Sequence, residues 1–165
     1  MTDNETSDAA TEAEQKRRPA DKRSAARMFV VQALYQLEIG GEDAIDVVSE
    51  FRTHRLGGDG DAASDADEAF FENLVYGVVK NQGAVDQQIA ERLADGWRLG
   101  RLDSILRAVL RAGSFELQER KDVPARVIID EYLNVAHAFF SGGEPAMVNG
   151  LLDKMAREFR PQEFA

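Results

Sequence analysis

From Lys16 to Ile39 the chain reads KRRPADKRSAARMFVVQALYQLEI, a basic run that passes directly into an apolar helix. Lys16, Arg17, Arg18, Lys22, Arg23 and Arg27 are opposed only by Asp21. Beyond Arg27 apolar residues take over. Ala26, Phe29, Val30, Ala33, Leu34 and Leu37 recur at the i, i+3, i+4, i+7 spacing of one helix face, and Met28, Val31, Tyr35 and Ile39 form a second strip. A helix that is apolar on more than one side belongs inside a bundle, because exposure would leave too much apolar surface in water. The segment therefore reads as the central helix of an all-α domain, with a cationic entrance at its N-terminus.

The rest of the chain fits that frame. Gly40-Gly41 supplies a helix stop. Ala44 to His54 reads as a short helix with Ile45, Val48 and Phe51 or Arg52 on one side. A third helix spans Asp65 to Lys80, with Phe70 or Phe71, Leu74, Val75 and Val78 inward, and a fourth spans Asp86 to Leu93. Leu102 to Glu119 has the strongest periodicity, through Leu102, Ile105, Leu106, Val109, Leu110, Gly113 and Leu117. Its opposite face carries Asp103 and Arg107 at the spacing of an ion pair. Asp122-Val123-Pro124 starts a helix that Ser141-Gly142-Gly143 closes, and Glu144-Pro145 starts the last. No segment alternates as a strand would. The expected fold class is all-α, a compact bundle of about seven helices, with domain limits at 21–160. Residues 1–20 form an acidic then basic tail, expected to be disordered because large apolar residues are scarce, and 161–165 form a short C-terminal tail.

Composition narrows the function. The net charge of −10 argues against a nucleic-acid binder until its distribution is considered. Ten acids, Asp3, Glu5, Asp8, Glu12, Glu14, Asp59, Asp61, Asp65, Asp67 and Glu68, equal the whole excess and fall in the tail and a Gly-rich insertion. The remainder is nearly neutral and carries the basic run. Without cysteine there is no disulfide and no Cys-based metal site. No apolar run approaches the roughly 18 residues that span a bilayer, so the expected location is cytoplasmic. Asp59, Asp61 and Asp65 suggest a calcium series, but the spacing does not satisfy an EF-hand loop, and a solvated loop is the preferred reading.

Catalysis fails on inventory. There is no phosphate-binding Gly-rich loop ending in Lys-Ser or Lys-Thr, and His54 and His137 have no metal-binding spacing. The adjacent carboxylates Asp130 and Glu131 diverge on a helix and do not converge on a substrate. Neither metal nor cofactor is expected. Three features point to binding instead. The basic run can neutralise several phosphates. Lys80-Asn81-Gln82 sits between two helices, where amides can read unpaired bases or simply cap a helix. Gly150 interrupts a good helix after Val148-Asn149, at a cost of about 1 kcal/mol against Ala, so a neighbouring helix or a ligand should approach its backbone.

Four blocks carry a resemblance: AARMFVVQALYQ at 25–36, ILRAVLRAGSFEL at 105–117, KDVPARVIIDEYLNVAHAFF at 121–140 and MVNGLLDKMA at 147–156. In order and spacing the chain resembles the NusB family of bacterial transcription antitermination factors. The resemblance implies a helical RNA-binding adaptor without catalysis. Such a protein pairs with the ribosomal protein NusE on boxA-type single-stranded RNA, and acts with other Nus factors on RNA polymerase during ribosomal RNA transcription. It implies no membrane partner. It also implies RNA contacts at Lys22, Arg23 and Arg27, extended by Arg17 and Arg18, with Lys80, Asn81, Gln82, Met147 and Asn149 bordering the same surface. NusE contacts would fall at Tyr35, Glu38, Ile39 and Leu106. The chain departs from the family pattern where Ser24 and Ala25 interrupt the basic run and where Met147 replaces a common aromatic. A helical protein–protein scaffold with little intrinsic RNA affinity is the alternative, and the charge of −10 favours it.

Overall fold

The computed structural model describes residues 18–56 and 65–165, so the expectations for the acidic tail, for Arg17 and for the Gly/Asp loop at 57–64 lie outside the described residues. Seven α-helices and no strand are found among them. They are α1 (Pro19–Gly40), α2 (Ala44–Phe51), α3 (Glu68–Lys80), α4 (Gln82–Arg92), α5 (Ser104–Glu119), α6 (Ala125–Phe139) and α7 (Glu144–Phe159).

The helix ends follow from local chemistry. Pro19 fills the first turn of α1, where its fixed φ suits the helix and its missing N–H is harmless. The helix therefore starts ahead of Asp21 and Ser24, and the Ser24 hydroxyl donates to Ala20 O and to Glu131. Gly41 ends α1 in the left-handed conformation, with φ of 68°. Asp67 caps α3 by accepting from Phe70 N, and Asp103 caps α5 by accepting from Ile105 N. With its carboxylate so used, Asp103 does not pair with Arg107. That guanidinium turns instead to Glu38 and to the carbonyls of Leu99 and Leu102. In α2 the buried residues are Val47, Val48 and Phe51, while Ile45 is 71% exposed. A π-helical turn, Arg52–Leu56, continues α2 and drops Leu56 into the core.

The centre of the bundle is α5 rather than α1. An unbroken run from Ala108 to Leu117 is buried, and α1, α3, α4, α6 and α7 all pack on it. Small residues permit that crowding: Ala108, Ala112, Gly113 and Ser114 let neighbours approach from several sides. Helix α1 runs antiparallel to α5, with Arg27 beside Glu116 and Glu38 beside Arg107. The closest backbone approach is at Gly77 of α3, where an added Cβ would lie 2.0 Å from Phe115 Cζ. Gly150, by contrast, has nothing within 4 Å of a Cβ position and is exposed, so the expected close neighbour is absent among the described residues.

Two buried polar clusters bind helices together. Arg27 is only 2% exposed, and its Nε and Nη2 donate to the two oxygens of Glu116 at 2.9 and 2.8 Å. The Tyr132 hydroxyl donates to the same carboxylate at 2.9 Å, and Glu131 stands 3.8 Å from the guanidinium. Burial works against the Arg27 charge, but Glu116 more than offsets it and the pKa rises. Burial and the Glu116 charge together push the Tyr132 phenol well above its usual range. Near the chain end Arg160, also buried, donates to the carbonyls of Glu116, Leu117, Arg120 and Val123. It thereby satisfies acceptors that the end of α5 leaves unpaired. Glu163 pairs with Arg160 and accepts from Ala125 N, so the last residues pack onto the domain rather than trailing as a tail.

Two predictions follow from this packing. Gly77→Ala should lower the urea midpoint, because about 1–3 kcal/mol of overpacking against Phe115 outweighs the roughly 1 kcal/mol that Ala gains over Gly in a helix. A pH series tests the second cluster. Tyr132 holds its proton in the folded state after an unfolded tyrosine has ionised, so its contribution is full below about pH 10 and falls as pH rises further. Urea unfolding of the wild type and Tyr132→Phe should therefore converge above that pH.

Candidate nucleic-acid interface

The basic end of α1 meets two other helix starts. Pro19, Ala20, Arg23, Asp67 and Pro124 line one groove of about 320 Å³, which joins the N-termini of α1, α3 and α6. Helix N-termini carry partial positive charge, so their convergence favours an anion. The groove floor is apolar through Val123 and the 43% exposed Val127.

Carboxylates already answer the cations there. Lys22 lies 3.4 Å from Asp65, and Arg23 lies 3.8 Å from Asp67 and 3.6 Å from Asp122. Arg120 donates to both oxygens of Asp122 at 3.0 Å, which holds that carboxyl below its usual range. The guanidinium groups of Arg23, Arg27 and Arg120 surround the Phe70 ring, at 4.9, 5.0 and 5.0 Å from its centroid. Arg18 is exposed beside the groove. Arg27 is a correction: its spacing within the apolar stripe buries it against Glu116, so it cannot serve as a free phosphate contact. It holds the groove wall instead.

The remaining expected RNA residues do not join this groove. Lys80, Asn81 and Gln82 lie at the far end of α3, about 20 Å or more along the helix from Asp67 at 1.5 Å per residue. Asn81 spends its amide N–H on Gly77 O at 2.8 Å, while Lys80 and Gln82 are exposed. Gln82 shares a second groove, of about 420 Å³, with Leu37, Glu38, Glu42 and Val79. The Lys80–Gln82 junction thus borders the surface expected to meet a protein. Asn149 is exposed on α7, and Met147 is half-buried against the core.

Of the expected protein contacts, Ile39 is 59% exposed and Tyr35 half-buried on the same side of α1. Glu38 is committed to Arg107 at 2.6 Å and Arg111 at 3.6 Å, so it fixes α1 to α5. Leu106 is a second correction. It is 1% exposed, because α5 is covered on all sides and its apolar register points inward at that position. Sequence reasoning also missed Asp122, Arg120 and Phe70 at the groove; only the placement of Asp122 just before a helix start hinted at it. No group of metal-ligating side chains is found among the described residues, and no described helix is long and apolar enough to cross a membrane.

Comparison with known proteins gives a consistent result. A family model described as "NusB family" matches residues 24–157. The transcription antitermination protein NusB of Maricaulis maris (strain MCS10) is 58% identical over 144 residues, covering 86% of this chain and 90% of that protein. The corresponding protein of Nitrobacter hamburgensis is 55% identical over 148 residues, covering 88% and 92%. Among solved structures, NusB of T. maritima is similar with a TM-score of 0.71 and 29% identity, over 90% of this chain and 98% of that one. A chain from a structure of antitermination factors NusB and NusE with double-stranded RNA shares the fold at a TM-score of 0.65 and 22% identity, over 84% and 98%. The matched span runs from Ser24, just past Lys22 and Arg23 in α1, almost to the end of α7, and this chain belongs to the NusB family.

Proposed function

We propose that this chain is a transcription antitermination factor that binds boxA-type RNA together with ribosomal protein NusE and delivers the pair to elongating RNA polymerase and other Nus factors. The observation that carries the RNA part is the groove where three helix N-termini meet under Lys22 and Arg23. RNA phosphates would take the places now held by Asp67 and Asp122. The exchange keeps each guanidinium paired, so binding depends on phosphate outcompeting a carboxylate rather than on filling an empty site. Arg18 extends the track at the protein surface, with Arg17 next to it in sequence. Tyr35 and Ile39 are the side chains we assign to NusE. Lys80, Gln82 and Asn149 would meet whatever part of the RNA reaches the opposite end.

A non-catalytic scaffold with weak RNA affinity is the competing reading, and the neutralised state of Lys22 and Arg23 is the observation in its favour. The two separate by fluorescence anisotropy on labelled boxA RNA and a scrambled control, with and without NusE. The antitermination reading expects a preference for boxA that tightens when NusE is added. Equal binding to both RNAs, or NusE binding that RNA never improves, leaves the scaffold.

Mutations at the groove sharpen the test. Lys22→Glu with Arg23→Glu should weaken boxA binding by about tenfold or more and reduce its salt dependence, since each lost phosphate contact on a single strand removes about 0.7 from the slope. Asp122→Asn should act in the opposite direction. Releasing Arg23 and Arg120 from an exposed pair of roughly 0.2–1 kcal/mol should tighten RNA binding by up to about fivefold. Unchanged affinity in both variants would remove this groove from the RNA path.

A further inference from the structure

We infer that Glu163, held by the buried Arg160, is a positioning residue for the RNA groove: it caps α6 and so fixes the loop that supplies one groove wall, although neither residue lines the groove. The inference rests on the RNA-binding function proposed above and names what keeps its site in shape. The loop between α5 and α6 is short, Arg120 to Pro124, and crowded with residues of the groove. Arg120 lies over Phe70 and pairs with Asp122, Asp122 also faces Arg23, and Val123 and Pro124 line the groove itself. Within the loop, Val123 N donates to Arg120 O at 3.1 Å. The carbonyls of both residues are held from outside, by the end of the chain.

Arg160 is 1% exposed, and each of its five N–H donors meets an acceptor. Nε donates to Leu117 O at 2.9 Å, and Nη2 donates to Arg120 O at 2.8 Å and Glu116 O at 3.3 Å. Nη1 is shared between Val123 O and Glu163 Oε2, the latter at 3.1 Å. A guanidinium is a rigid planar fork, so carbonyls bound to it at both ends of the loop cannot move independently. Glu163 spends its other oxygen on Ala125 N, at 3.0 Å. The residue that precedes α6 is Pro124, whose side chain has no acceptor with which to cap a helix. Glu163 therefore does for α6, from 38 residues away, what Asp67 does for α3 from the adjoining position. The Ala125 N–H, with Arg160 adding to it, holds the Glu163 carboxyl below its usual range. Phe164 keeps the turn on the domain, its ring centroid 4.7 Å from the guanidinium of Arg157 and 5.4 Å from that of Arg126.

Removing the buried Arg160 would disturb the whole domain, so the test compares the full chain with Glu163→Ala and Glu163→Gln. The second variant keeps an oxygen for Ala125 N–H and loses only the charge; the first loses both. Hydrogen exchange of the amides at 121–126, anisotropy of labelled boxA RNA, NusE binding and melting are recorded for all three proteins. In Glu163→Ala, exchange at 121–126 should quicken about fivefold, the ratio that loss of one helix cap gives. RNA binding should weaken about twofold or more, because affinity falls with the fraction of molecules whose groove is formed. Exchange in α4 and the affinity for NusE should stay at wild-type values, and melting should fall by no more than about 4 °C. Glu163→Gln should return exchange and RNA binding most of the way. Charge alone gives a different pattern: each variant deletes a carboxylate, which would tighten the hold on a polyanion in both. Unchanged exchange at 121–126, or quicker exchange with RNA affinity unchanged or raised, would overturn the inference and leave the proposed function standing. Weakening that Glu163→Gln does not relieve would trace the effect to the lost charge rather than to the cap, and would likewise overturn it. A wild type that binds no RNA would remove the proposed function and the inference with it.

Discussion

The ion pair between Arg27 and Glu116, closed by the Tyr132 hydroxyl, holds the basic end of the molecule in its shape. It joins α1, α5 and α6 at one buried point, and the Phe70 ring of α3 covers the same guanidinium. A buried pair of this kind adds little net stability compared with well-packed apolar groups. Losing one partner, however, strands the other charge at a cost of about 3–5 kcal/mol. Its donors are satisfied in this arrangement of the helices, and a shift of α1, α5 or α6 would leave a buried charge unpaired. The groove between α1 and α6 exists because that arrangement is enforced a few ångströms beneath it.

The same end illustrates how an acidic protein can present a cationic site. Asp65, Asp67 and Asp122 stand against Lys22 and Arg23, so the cations of this surface are already answered by carboxylates. The aligned dipoles of three helix N-termini remain as a bias that no carboxylate removes entirely. Salt screens both sets of interactions at once, so it weakens the resting pairs as well as any phosphate contacts that would replace them.

The bundle was legible in the sequence because periodicity reports burial directly. The spacing from Leu102 to Leu117 located α5, and Pro with Gly located both ends of α6. Which helix lay at the centre was not legible, since α1 and α5 both show broad apolar faces and only packing reveals that five helices converge on the second. Charge was harder to read than hydrophobicity. Arg27 looks like the other cations of its run, although it stands three and four residues before the buried Val30 and Val31. Its partner is 89 residues away. Asp122 and Arg23 are likewise distant in the chain and adjacent in space. Gly150 shows the opposite failure: a helix glycine suggests a close neighbour, and the crowded glycine is Gly77 instead.

Helix α1 also sets a length scale. Arg23 at one end and Ile39 at the other are 16 residues apart, about 24 Å along a single helix packed against α2, α3, α5 and α6. A rod held on so many sides resists bending, so it is poorly built to carry a change from one tip to the other. Cooperation between ligands bound at the two tips would then arise where the ligands reach each other. On such a scaffold affinity would be shared by tethering, with each bound molecule raising the local concentration of the next.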